Sequence, residues 1–120
     1  MLSIKPEYVK KILNGTKKYE YRRRLAKMKS TIILIYSTYP IMKVVGQVKI
    51  LGTMIDSPAV LWEKTKKNSG ISKKNYQKYF CGCDIAYAYK LGEVEIFDYP
   101  KSLSEYNVKS APQSFIYVNI

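Results

Sequence analysis

Between Asn14 and Arg24 the chain reads Asn-Gly-Thr-Lys-Lys-Tyr-Glu-Tyr-Arg-Arg-Arg, a single carboxylate among five basic side chains just after a glycine. Drawn out as a strand from Lys18 to Arg24, it sends Tyr19, Tyr21 and Arg23 to one face and Lys18, Glu20, Arg22 and Arg24 to the other. The chemistry on offer is recognition of an anion or a base edge. Arginine presents a planar forked donor, and a fixed glutamate accepts from an exocyclic amine. Gly15 lets the loop carrying Lys17 approach a ligand closely. A lysine crowded by Lys18 and Arg22 has its pKa lowered, which would make Lys17 a usable base or nucleophile. Two structural readings compete with this: a charged strand edge that blunts edge-to-edge pairing, and a Glu20–Arg22 salt bridge.

The 120 residues include no histidine, which excludes mechanisms built on Ser-His or Cys-His pairs. Any catalysis must draw on Lys, Tyr, Glu, Asp or Cys. Cys81 and Cys83 flank Gly82, too few ligands for a structural zinc and not the Cys-x-x-Cys spacing of a redox pair, so reduced thiols are expected, with neither metal nor cofactor. Twenty-one Lys and Arg against nine Asp and Glu leave a net charge of +12, and the pI is near 9.7. Such a field attracts polyanions at long range, with RNA or a nucleotide first and DNA second. Twelve tyrosines add rings able to stack on bases, although a folded core will use many of them.

The length is that of one domain, residues 1–120, with no internal repeat or low-complexity tail. No stretch approaches the roughly 18 consecutive apolar residues of a membrane span, and Met1 to Pro6 lacks the apolar core of a signal peptide, so a cytoplasmic location is expected.

The elements that would hold the charged strand follow from periodicity. Pro6 suits a first helical position, and Tyr8, Val9, Ile12 and Leu13 form one apolar face that ends at Gly15. Leu25 to Ser30 reads as a basic connector, and Thr31 to Tyr36 as a central strand buried on both sides. Lys43 to Asp56 alternates as a long strand, with Val44, Gly46, Val48, Ile50 and Gly52 sharing a face. Ser57-Pro58 opens a helix over Ala59 to Lys67, and Ser72 opens another that runs to Gly82. Asp84 to Leu91 is a strand that Gly92 is expected to break, with Val94 and Ile96 beyond it. Pro100 and Pro112 bound a linker, and Ser114 to Ile120 is a last strand. This order predicts an α+β fold: a small mixed or antiparallel β-barrel of five to six strands flanked by short helices.

Taken together, the segments resemble the ASCH domain, a branch of the PUA-like superfamily of small RNA-associated barrels. The resemblance rests on Ser3-Ile4-Lys5-Pro6 and on the Gly15 to Arg22 stretch, which matches the family's Gly-x-Lys-x-x-Glu-x-Arg pattern. It continues through Ile35 to Pro40, Val45-Gly46, Ser57-Pro58, Leu61-Trp62, Gly70-Ile71-Ser72, Tyr79-Phe80 and Ala111 to Phe115. It implies a cleft between barrel and helices where Lys17, Glu20 and Arg22 sit beside the exit of the central strand, with Tyr36, Ser37 and Thr38 as neighbours. Lys5, Trp62, Gln113 and Ser114 complete the candidates, although Lys5 also reads as a solvated side chain, Trp62 as core, and Gln113-Ser114 as a plain turn.

Two classes of function follow from the resemblance. One is a binding module for RNA or a nucleotide. The other is a small hydrolase, either a ribonuclease or an amidohydrolase that deacylates acetylcytidine, with Lys17, Glu20 and Tyr36 as catalytic groups. The amidohydrolase pattern uses Lys, Thr and Glu; Lys17 matches the lysine, but Glu20 stands where the threonine belongs. A regulator acting on DNA or protein ranks third, because no helix-turn-helix is recognisable.

Overall fold

The computed structural model describes residues 1–25 and 31–112. The predicted connector beyond Leu25, the last strand from Ser114 to Ile120, and the candidates Gln113 and Ser114 lie outside the described residues.

The element order is β1 (Leu2–Ile4), α1 (Pro6–Leu13), β2 (Tyr19–Arg22), β3 (Ile32–Ser37), β4 (Lys43–Asp56), α2 (Pro58–Thr65), α3 (Lys73–Tyr79) and β5 (Ala86–Lys101). Short 3-10 turns follow α2 at Lys66–Asn68 and β5 at Leu103–Tyr106. Local chemistry sets the helix ends. Pro6 and Pro58 open α1 and α2, and the Ser57 and Ser72 hydroxyls accept from Val60 N and Asn75 N at 3.3 and 3.1 Å. Beyond α1, Gly15 takes a φ of 84° and turns the chain into β2.

The five strands form one sheet in the order β1-β3-β4-β5-β2, with β1 parallel to β3 and the other pairs antiparallel. The α+β class expected from the sequence is therefore present, but the closed barrel is not: among the described residues the sheet has two edges, β1 and β2. Register shifts in β3, β4 and β5 curl it. The edges come close enough for the Arg22 guanidinium on β2 to donate to the Ser3 carbonyl of β1 at 3.0 Å. Among the described residues a side chain, rather than a backbone ladder, spans the seam.

β5 also corrects the expectation. It runs unbroken for 16 residues through Gly92 and Pro100, where the sequence suggested a break and a linker boundary. A side chain at Gly92 would strike Leu51, 2.8 Å away, so this glycine permits the close crossing of β4 and β5. Pro100 falls where the β4–β5 register shifts, a place where a ladder donor can be spared.

β3 is buried on both faces, as its β-branched run predicts. Ile33 and Ile35 join Val9 and Ile12 of α1 and Val48 of β4 in one cluster, while Leu34 and Tyr36 pack with Val44 on the other side. A third cluster seats α2 and α3 on β5 and β2 through Leu61, Tyr76, Phe80 and Tyr21. α1 and α3 thus stand on either side of β2.

Candidate functional site

Between α1, α3 and the seam of the sheet lies a cavity of about 860 Å³, within the range of small-ligand sites. β2 supplies Glu20 and Arg22, β1 supplies Ser3 and Ile4, and α1 supplies Glu7 and Tyr8. α3 contributes Asn75, Lys78 and Tyr79. The cationic groups on its wall are Lys5, Lys17, Arg22, Arg23, Arg24 and Lys78, against the acids Glu7 and Glu20.

Lys17 is the most constrained of these. It is 3% exposed, and its ammonium donates to the Ser69 carbonyl at 2.6 Å. The Tyr8 and Tyr21 rings lie 5.3 and 4.9 Å from the same nitrogen, within cation–π range. Its stem lies on Gly70, whose φ is 65°; a β-carbon there would sit 2.5 Å from Lys17 Cβ. Burial pushes the Lys17 pKa down to about 8, with Lys11 and Arg22 lowering it further and Glu20 opposing the shift.

Glu20 and Arg22 form a buried ion pair, Nη2 to Oε2 at 2.7 Å, and the same Nη2 reaches Ser3 O. The salt bridge weighed in the sequence is real, and both partners still line the cavity. Beside them Arg23 stacks on Tyr79, 4.3 Å from the ring centroid, and its Nε donates to the Tyr79 carbonyl at 2.9 Å.

Of the residues singled out in the sequence, Lys5, Lys17, Glu20, Arg22, Arg24 and Thr38 line this one cavity. Four others are placed elsewhere. Tyr36 and Ser37 are each 2% exposed and do not line it, Tyr36 being packed against Leu34 and Val44. Lys18 is exposed off the cavity. Trp62 lies against Tyr76 in a separate groove, 4.7 Å between ring centroids. For Tyr36 the reason is strand alternation: with both faces of β3 buried, it belongs to the face turned away from α1.

The sequence reading missed Tyr8, Arg23, Asn75, Lys78 and Tyr79. Alternation alone puts Arg23 on the opposite face, but β2 ends at Arg22 and alternation stops with it. Asn75, Lys78 and Tyr79 recur at i, i+3 and i+4 on α3, a signal that was legible in the sequence.

Residues 2–110 match the model of the ASCH domain. The chain belongs to the ASCH domain family. This ASCH domain is 38% identical over 86 residues to the large ribosomal subunit protein uL22 of Ureaplasma parvum serovar 3, covering 72% of this chain and 28% of that protein. Over 92 residues it is 32% identical to the ASCH domain-containing ribonuclease of Zymomonas mobilis subsp. mobilis, covering 76% of this chain and 62% of that one. The crystal structure of ASCH from Zymomonas mobilis matches it with a TM-score of 0.86 and 29% identity, over 94% of this chain and 82% of the other. The domain thus spans under a third of the uL22 relative and just under two thirds of the ribonuclease. Of Gly15, Lys17, Glu20 and Arg22, on which the resemblance in the sequence rests, the last three line the cavity.

Proposed function

We propose that the cavity binds one nucleotide unit of an RNA strand. The observation that carries this reading is the convergence of Lys17, Glu20 and Arg22 on the wall of a single basic cavity large enough for a nucleotide. Arg23, Arg24, Lys5 and Lys78 supply charge for phosphates. Glu20, fixed by Arg22, offers an acceptor for a base amine, and the Tyr8 and Tyr79 rings offer faces for stacking. The name of the Zymomonas mobilis relative, a ribonuclease, supports RNA as the polyanion.

A second reading, cleavage of the bound strand, is favoured by the lowered pKa of Lys17. A neutral Lys17 amine takes the proton of a 2′-hydroxyl, and the 2′ oxygen attacks the adjacent phosphorus. The bond to the 5′ oxygen breaks, and that oxygen leaves with a proton from water. The arginines hold the charge gathering on the phosphate oxygens. Tyr36 has no part in this scheme, because its side chain lies in the core.

The test measures binding and cleavage of a fluorescent single-stranded RNA by the wild type, Lys17→Ala and Arg24→Ala. Arg24→Ala should weaken binding several-fold without altering cleavage of saturating RNA. Lys17→Ala should abolish cleavage. RNA bound equally by all three proteins would rule out the cavity as the site. Tight binding by the wild type with no cleavage would leave the domain as a binding module.

A further inference from the structure

α3 divides two recesses. Asn75, Lys78 and Tyr79 face the cavity, while Lys73, Tyr76, Gln77 and Phe80 line a groove of about 350 Å³ on its other side. The groove's aromatic wall includes Trp62 of α2, half-buried against Tyr76, with Pro58 beside it. At 100° per residue, exposed Lys74 falls on the outer ridge of α3, between Lys78 on the cavity side and Gln77 on the groove side. The groove also holds Glu63, whose carboxylate is engaged by Lys66 at 2.8 Å. A basic ridge therefore links a cavity read as taking one nucleotide to an aromatic groove.

We propose that an RNA strand seated in the cavity continues over the ridge of α3 and stacks a second base in the Trp62 groove, with Lys74 and Lys78 meeting the intervening phosphates. Charge complementarity selects this occupant: Lys73, Lys74 and Lys78 border the path, and Glu63, the acid lining the groove, is paired with Lys66. The width of a helix with its side chains, about 10 Å, separates the two recesses, so a mononucleotide seated in the cavity leaves the groove empty. Reaching both sites therefore takes a strand of more than one nucleotide. The proposal rests on the RNA reading of the cavity and extends it to a second subsite.

Trp62 is the sole tryptophan of the chain, so its emission reports directly on the groove. Wild-type protein is titrated with adenosine 3′,5′-bisphosphate and with oligoadenylates of two to eight nucleotides, while anisotropy of labelled oligomers reports binding independently. The expected result is saturable quenching of Trp62 by the longer oligomers, and none by the mononucleotide. Trp62→Leu should weaken the longer oligomers by roughly tenfold, the usual worth of one stacked base, and leave the mononucleotide unaffected. Oligomers that bind by anisotropy without changing the emission would overturn the second subsite and leave the cavity reading standing. Absence of any oligomer binding would overturn both. Emission that shifts on diluting the protein alone would assign the groove to a second copy of the chain and likewise overturn the proposal.

Discussion

Lys17 pairs a costly burial with a specific cradle. Its ammonium is desolvated beside Arg22 and Lys11, and one carbonyl and two rings take the place of water. The pKa falls from 10.5 in the unfolded chain to about 8 in the fold, so between these values the unfolded state holds a proton that the folded state has released. Stability gained from this residue therefore rises as pH climbs through that window. Below pH 8 both states are protonated, and the cost of the buried charge is full and constant. The stability of the wild type minus that of Lys17→Met should increase by up to about 3 kcal/mol between pH 8 and 10.5, read from urea unfolding at each pH. A flat difference would show an ordinary, hydrated lysine. Glu20 and Arg22 behave differently, because each answers the other's buried charge. Glu20→Ala leaves the guanidinium without its carboxylate and should destabilise by about 3 kcal/mol in urea unfolding. Glu20→Ala combined with Arg22→Met should recover part of that loss, whereas equal losses would mean the pair contributes nothing as a pair.

The helical insertion between β4 and β5 is the element that completes the site. Ser69, at the end of its first half, takes the Lys17 proton donor, Asn68 O accepts from Lys18 N at 2.8 Å, and Lys11 reaches Gly70 O at 3.1 Å. Gly70 lies against the Lys17 stem with no room for a β-carbon, and its backbone lies in the left-handed region. Gly70→Ala should cost about 1–2 kcal/mol from the backbone alone. It should also push the Lys17 stem outward, so that the lysine pKa, followed by NMR of its ammonium, climbs toward 10.5. A loss of stability with the Lys17 pKa unmoved would make Gly70 a turn residue and nothing more. The sequence marked Asn68-Ser69-Gly70 as a helix stop, which is correct, but nothing local reveals that the stop holds a lysine 52 residues away.

For the molecule as a whole, charge sets the strength of association. If Lys5, Arg23, Arg24 and Lys78 each meet one phosphate, the logarithm of the RNA-binding constant should fall with the logarithm of salt at a slope of about −3. Lys78→Gln should make that slope shallower by about 0.7, and an unchanged slope would remove Lys78 from the contact set. Among the described residues no helix is long and apolar enough to cross a membrane.

Helix caps, the two-sided burial of β3, the length of β4 and the membership of Lys17, Glu20 and Arg22 in one constellation were all determined by the sequence itself. Each follows from interactions within a few residues, or from a periodicity that the backbone imposes on its own side chains. Only the tertiary structure decided that, among the described residues, the sheet stops short of a closed ladder and an arginine reaches across its seam. It also decided that Tyr36 turns into the core and that Arg23, just beyond the end of β2, reaches the cavity. The approach of the two edges follows from the register shifts of three strands, while the fates of Tyr36 and Arg23 follow from what covers each face of β3 and from where β2 ends. All of these are set by pairing and packing between distant segments, which no single segment encodes.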